Sequence, residues 1–338
     1  MLVVLLAAFA LVAAACGDDG DADDGEASDP DSSAESSYPV TIEHTFGATT
    51  ITEVPERVVT VGWGATEAAI ALGVYPVLIP FDDYAGDDEG ILPWIREALE
   101  AADQPIPDTY PQVDGPAVEL IAAADPDLIL APYSGITEEQ YELLSQIAPV
   151  VAYPGEAWNT PWRDLIQIVG EALGDPAGAE QVLADIDAQV AAAAEAHPEF
   201  EGVTVVQIWD TGDEFYVYKE ADPRVGFTLD LGFEVPPSLE ALSTDESTFY
   251  FTLSKERLGE LTSDIAVSYA DDDAASQAFL ESDAAQLMGQ VRNGAVAEMI
   301  GPARISAVSP PTALSLSWGL DDYVAALAGA VEAFNAKS

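Results

Sequence analysis

Twice along this chain, short runs of β-branched and aliphatic residues alternate with stretches of helical period, and a long helix-forming segment separates the two series. In the first series, residues 58–61, 77–80, 127–131 and 150–153 read as strands, and 65–72, 92–101, 118–124 and 138–147 as helices, each bounded by Gly, Pro or Asp. In the second, 203–209, 215–218 and 265–269 read as strands, with helices over 227–231 and 320–334. Strands that alternate with helices favour a parallel sheet covered on both faces, so each series predicts one α/β lobe. Between them a helix over 162–173 is followed by Asp175-Pro176, a capping side chain and a first-turn proline that open a second helix running to Ala196. Some twenty helical residues make a rod about 30 Å long, which suits a rigid connection better than a flexible hinge.

The 338 residues suit two domains, and 49% of them are apolar or aromatic, enough for sizeable cores. Charge is one-sided: 61 Asp and Glu face 10 Lys and Arg, a formal −51. Such a surface repels nucleic acid and anionic headgroups, and its self-repulsion is best tolerated where salt screens it. The single cysteine, Cys16, rules out internal disulfides and cysteine metal clusters. It ends an apolar run over residues 2–15 that is too short to span a bilayer but suits a signal-peptide core. Ala13-Ala14-Ala15-Cys16 resembles a bacterial lipobox, which implies lipidation at Cys16 and an extracytoplasmic chain anchored to the cell membrane. The Asp-, Gly- and Ser-rich residues that follow bury too little to offset ordering entropy and read as a tether. The expected division is a signal peptide (1–16), a tether (17–38), an N-terminal lobe (39–160), connecting helices (161–198) and a C-terminal lobe (199–338).

One segment recurs in both lobes. Glu119-Leu-Ile-Ala-Ala-Ala-Asp-Pro-Asp127-Leu-Ile-Leu overlays Glu256-Arg-Leu-Gly-Glu-Leu-Thr-Ser-Asp264-Ile-Ala-Val, with Glu, two apolar helix positions, Asp and an apolar strand at equal spacing. Each Glu opens a short helix, where the helix dipole favours it. Two copies at matched places suggest a duplicated architecture with a shared docking surface.

Tyr38-Pro-Val-Thr-Ile-Glu-His-Thr-Phe-Gly47, Pro55-Glu-Arg-Val-Val-Thr-Val-Gly-Trp-Gly64, the Glu119 segment, Ile147-Ala-Pro-Val-Val151, Asp222-Pro-Arg224, Leu231-Gly-Phe233 and residues 316–322 together resemble the siderophore and vitamin B12 periplasmic-binding-protein family, over nearly everything from Tyr38 onward. The resemblance implies two Rossmann-like lobes joined by one long rigid helix, with the ligand in the cleft between them. It implies the substrate-binding component of an ABC importer, monomeric, without a cofactor, that delivers a ferric siderophore to a permease and its ATPase. It also places permease-docking glutamates at Glu119 and Glu256, and a ligand-contacting arginine at Arg224.

In α/β sheets, ligands gather outside the carboxyl ends of the strands. Trp63 and Trp209 follow or end the first strand of each lobe, and Tyr133, Tyr153 and Tyr269 stand just beyond or at the ends of others. Aromatic rings there offer wide, stiff contact surfaces; ordinary packing accounts for the tyrosines equally well. Guanidinium groups suit oxygen-rich chelates, which makes Arg224, and secondarily Arg304 in Gly301-Pro-Ala-Arg-Ile305, candidates for ligand contact. A bare-metal carrier asks for several histidines, and the chain has two, His44 and His197. Heme, held by a tyrosine, and vitamin B12, held by aromatics, stay open as alternative ligands of the same fold. Neither a G-x-S-x-G elbow, a P-loop nor a strand-following G-x-G-x-x-G is present, so the chain reads as a binding protein and not an enzyme.

Overall fold

The computed structural model describes residues 38–112 and 115–337; the readings of the apolar run, Cys16 and the acidic tether lie outside them. The N-terminal strands β1 (Val40–His44) and β2 (Gly47–Ile51) form an antiparallel hairpin whose alternating buried residues Ile42, His44, Thr49 and Ile51 face inward. His44 Nε2 and Thr49 Oγ1 lie 2.9 Å apart, and the Thr49 hydroxyl donates to the Val150 carbonyl, so this histidine docks the hairpin.

The first sheet contains β3 (Val58–Thr60), β4 (Leu78–Pro80), β5 (Asp108–Tyr110), β6 (Leu128–Ala131) and β7 (Val150–Ala152) in the order β5-β4-β3-β6-β7, every pair parallel. The second contains β8 (Val205–Asp210), β9 (Phe215–Tyr218), β10 (Tyr250–Thr252), β11 (Ile265–Ala270) and β12 (Val296–Ile300) in the order β10-β9-β8-β11-β12. Here β8, β11 and β12 are parallel, while β9 is reversed and pairs antiparallel with both β8 and β10. The departure from an all-parallel sheet follows from chain length. Only residues 211–214 link β8 to β9, closed by Thr211 N–H donating to the Glu214 carbonyl at 3.0 Å, and a parallel crossover needs a dozen residues or more.

The central strands also explain the recurring Asp of the internal repeat. Asp127 accepts from the backbone N–H groups of Glu56 and Arg57 at 2.7 and 2.9 Å, just before β3. Asp264 accepts from the N–H and hydroxyl of Thr204, both at 2.8 Å, just before β8. In each lobe one carboxylate therefore pins the start of a central strand to its parallel neighbour.

Helices Trp162–Ala172 and Pro176–Ala196 join the lobes, and Asp175 Oδ1 caps the second through the Gly178 N–H at 2.9 Å. Ala179, Leu183, Ile186 and Val190 form the buried stripe of that rod. Its partner from the far end of the chain is the helix Ser315–Asn335, which starts five residues before the predicted boundary. One continuous apolar cluster runs from Val58 and Leu128 through Val169, Leu183 and Leu327 to Val205 and Ile265, so the lobes share a core. Ile70, Ile79, Trp94 and Leu99 of the first lobe close on Ala307 in a second junction. A wide separation of the lobes would expose both junctions to water at roughly 25 cal/mol per Å², which favours small closing motions.

Candidate ligand-binding site

The carboxyl ends of the first sheet open on a cleft of about 820 Å³, closed from the other side by Trp209 and by the segment from Ile305 to Thr312. Its floor lies at the topological switch of the first sheet, where β3 meets β6. The chain leaves β3 through Gly62, whose φ is +82°, and a Cβ there would stand 2.1 Å from the Tyr133 carbonyl oxygen. Only glycine allows this approach, and it lets the Trp63 N–H donate to that same carbonyl at 3.1 Å. Gly62→Ala is expected to force the two loops apart, lowering thermal stability by about 1–3 kcal/mol and loosening the wall, read as a red-shifted, more quenchable tryptophan emission.

That wall is aromatic. Trp63, 49% exposed, stands with its ring centroid 6.1 Å from Tyr133 and 5.2 Å from Trp158. Trp158 carries a positive φ of 59°, costly for a bulky residue, and its ring crosses Gly135 so closely that a Cβ would meet Nε1 at 2.2 Å. Trp158 escaped the sequence reading because it sits six residues beyond β7 in a polar loop; the aromatic-after-strand rule stopped at Tyr153. Tyr153 itself is buried and donates to the Ile136 carbonyl at 3.0 Å, a packing role.

Across the cleft, Trp209, the penultimate residue of β8, lines the cavity. Trp94 also lines it, so four of the six tryptophans do: Trp63, Trp94, Trp158 and Trp209. Trp94 Nε1 donates to Glu67 Oε1 at 3.1 Å. Burial pushes the Glu67 carboxyl above the usual carboxylate range, although Trp94 and Thr312 favour its charged form. Over the mouth, the Tyr84 hydroxyl donates to Asp271 at 2.7 Å and bridges the lobes, and burial together with that carboxylate pushes the phenol well above its ordinary range.

Of the six residues expected to touch ligand, Trp63 and Trp209 line the cavity, and Tyr133 backs Trp63. The other three stand elsewhere. Tyr269 is 1% exposed beneath Trp209, with ring centroids 6.3 Å apart, and donates to Gln207 Oε1 at 2.7 Å. A strand-end tyrosine on the inward face of β11 joins the core instead of the cleft. Arg224 opens the helix Pro223–Asp230 and is locked to the buried Asp222, Nε to Oδ1 at 2.8 Å and Nη2 to Oδ2 at 2.9 Å, with its guanidinium 3.6 Å above the Tyr218 ring. Burial opposes its charge, but Asp222 and the flanking tyrosines more than offset that and hold its pKa above the ordinary value. Arg304 turns outward to Asp322 at 2.9 Å on the terminal helix, while its neighbours Ile305 and Ser306 line the cavity. Glu119 and Glu256 are exposed, on the short helices Val118–Ala123 and Lys255–Glu260.

Two α/β sheets that face one aromatic cleft and are tied by a long helix give the architecture of a two-lobed binding protein. The chain belongs to the periplasmic binding protein family, which it matches over residues 58–301. It is 33% identical to PiaA of Streptococcus pneumoniae TIGR4, solved in complex with ferrichrome, with a TM-score of 0.76 over 87% of this chain and 99% of that one. A periplasmic solute binding protein from Mycobacterium smegmatis is 25% identical, with a TM-score of 0.75 over 86% of this chain and 98% of that one. Among curated proteins, the probable siderophore-binding lipoprotein YfiY of Bacillus subtilis is 29% identical, over 70% of each chain.

Proposed function

We propose that this chain is the extracytoplasmic substrate-binding component of an ABC importer, which takes a ferric siderophore into the interlobe cleft and delivers it to a permease and its ATPase. The carrying observation is the cleft itself: about 820 Å³, walled by four tryptophans and placed at the carboxyl ends of the strands. The likeness to a protein crystallised with ferrichrome supports the ligand class. In this reading Cys16 carries a lipid anchor, residues 17–38 tether a monomeric body, and the lobes span 39–160 and 199–338 around connecting helices at 161–198. Glu119 and Glu256 meet the permease, and heme and vitamin B12 are competing ligands to be tested.

Intrinsic tryptophan fluorescence of the body from residue 37 onward reads this directly, because most of its indoles lie in the cleft. Saturable quenching by a ferric siderophore is expected at about 1 μM or below, equivalent to roughly 8 kcal/mol. Trp63→Ala is expected to weaken that binding by about 2 kcal/mol, near thirty-fold, the scale of an aromatic anchor. Quenching by heme or cobalamin alone would replace the ligand, and silence across all of them would overturn the carrier reading.

A further inference from the structure

We infer that the cleft selects ferric chelates by charge, accepting a neutral or cationic tris-hydroxamate and refusing a tricatecholate or polycarboxylate anion; this rests on the carrier reading above. The charged side chains lining the cavity are Glu67, Asp82 and Asp83, and among the described residues that line it there is no Lys, Arg or His. Asp82 and Asp83 thus add two further carboxylates to the lining beside Glu67.

The nearby cations are spent on carboxylates of their own. Arg224 is bound bidentately by Asp222, Lys255 reaches Asp210 at 2.8 Å behind Trp209, and Arg304 faces Asp322. None of the three lines the cavity. Counter-charge for an anionic chelate would have to come from solvent, inside a protein whose formal charge is already −51. At an effective dielectric of about 20, each unit of like charge about 8 Å from a carboxylate weakens binding by roughly thirty-fold, and a ferric tricatecholate carries three such units.

The tryptophan faces point the same way. An indole presents negative π density, so the walls at Trp63, Trp158 and Trp209 attract a cationic group and repel an anion. The remaining polar lining, among it Gln112, Ser134, Thr137 and Ser309, is uncharged and suits the amide and hydroxamate oxygens of a neutral chelate.

The test is a quenching titration of the same body, at one ionic strength, with three ligands. They are a ferric tris-hydroxamate bearing a free ammonium, its N-acetylated neutral form, and a ferric tricatecholate. Both hydroxamates are expected to saturate at micromolar levels or below, with the ammonium form equal or tighter and its advantage shrinking as salt rises. The tricatecholate is expected to bind at least a hundred-fold more weakly. Asp83→Lys, at an exposed position on the cleft lining, is expected to shift the tricatecholate-to-neutral affinity ratio at least ten-fold toward the anion. A tricatecholate that binds as tightly as the hydroxamates would overturn the charge inference and leave the carrier reading intact. No response to any of the three would overturn the carrier reading and this inference with it.

Discussion

Arg224→Ala is expected to destabilise the ligand-free protein by about 3–5 kcal/mol, the scale for breaking a buried ion pair from one side. Asp222 is 3% exposed and cannot regain water when its partner is removed. The same carboxylate caps the helix Pro223–Asp230 through the Arg224 N–H at 3.0 Å, so its reorientation would also disturb the helix start. The lost guanidinium further leaves a void above Tyr218, which faces Tyr269 edge-on with centroids 6.0 Å apart. Asp222→Asn with Arg224→Met removes both charges and keeps the volume, and is expected to recover a good part of the loss. Urea unfolding of the three proteins without ligand provides the measurement. An unchanged midpoint in Arg224→Ala, together with weaker chelate binding, would return Arg224 to the ligand-contacting role that family likeness suggests and refute the structural one.

The fold was legible wherever a strand was buried on both faces. Residues 58–61, 127–131 and 265–269 are dominated by apolar residues because β3, β6 and β11 sit at or beside the sheet centres, and their boundaries hold to within one residue. Of the edge strands of the two five-stranded sheets, β7 was legible, because its Val150–Ala152 is buried throughout, and β5, β10 and β12 were not. Asp108-Thr-Tyr110 of β5 has no apolar run, Tyr250–Thr252 of β10 is three residues long, and Glu298 interrupts β12 to accept from Ser276. An edge strand shares its hydrogen bonds with one neighbour and tolerates such residues, and where it carries them pattern alone does not find it.

The site divides along a similar line. Trp63 was visible because two glycines flank it in sequence, and the structure gives the first of them, Gly62, a conformation and a close contact that other residues refuse. Trp94 and Glu67 were invisible because each lies on a helix whose apolar neighbours disguise it as core. Only the packing of Trp94 Nε1 onto the Glu67 carboxyl turns the pair toward the cavity. Arg224 differs in the opposite direction, since the structure gives it a pairing that the sequence did not show. Its chemistry made it a candidate for ligand contact, yet a buried carboxylate two residues away pairs with it, and sequence spacing cannot tell that pair from a surface turn. The internal repeat carried both kinds of information. Its Asp positions have the matching structural roles already described, while its Glu positions remain exposed with no such duty.

Those two glutamates carry the last prediction. With Glu119→Arg and Glu256→Arg combined, chelate uptake by cells that rely on this protein is expected to fall at least a hundred-fold, while chelate affinity of the purified body stays at its wild-type value. Each proposed contact pairs a carboxylate with a permease cation across an interface, and truncating one such pair costs about 2–5 kcal/mol; reversal adds repulsion. Both positions are exposed and neither lines the cleft. Each also adjoins exposed apolar surface, Leu120 at 47% beside Glu119 and Leu287 at 44% against Gly259 of the helix that bears Glu256. A charged contact beside an apolar one is the composition of a docking patch rather than of a merely solvated face. Glu260→Arg is the control. It sits on the same short helix, paired with Arg257 at 2.8 Å, and its reversal should leave uptake within about two-fold, because exposed pairs contribute little. Equal losses in the control and the double variant would reduce the effect to general surface charge, and undiminished uptake in the double variant would remove Glu119 and Glu256 from the permease interface.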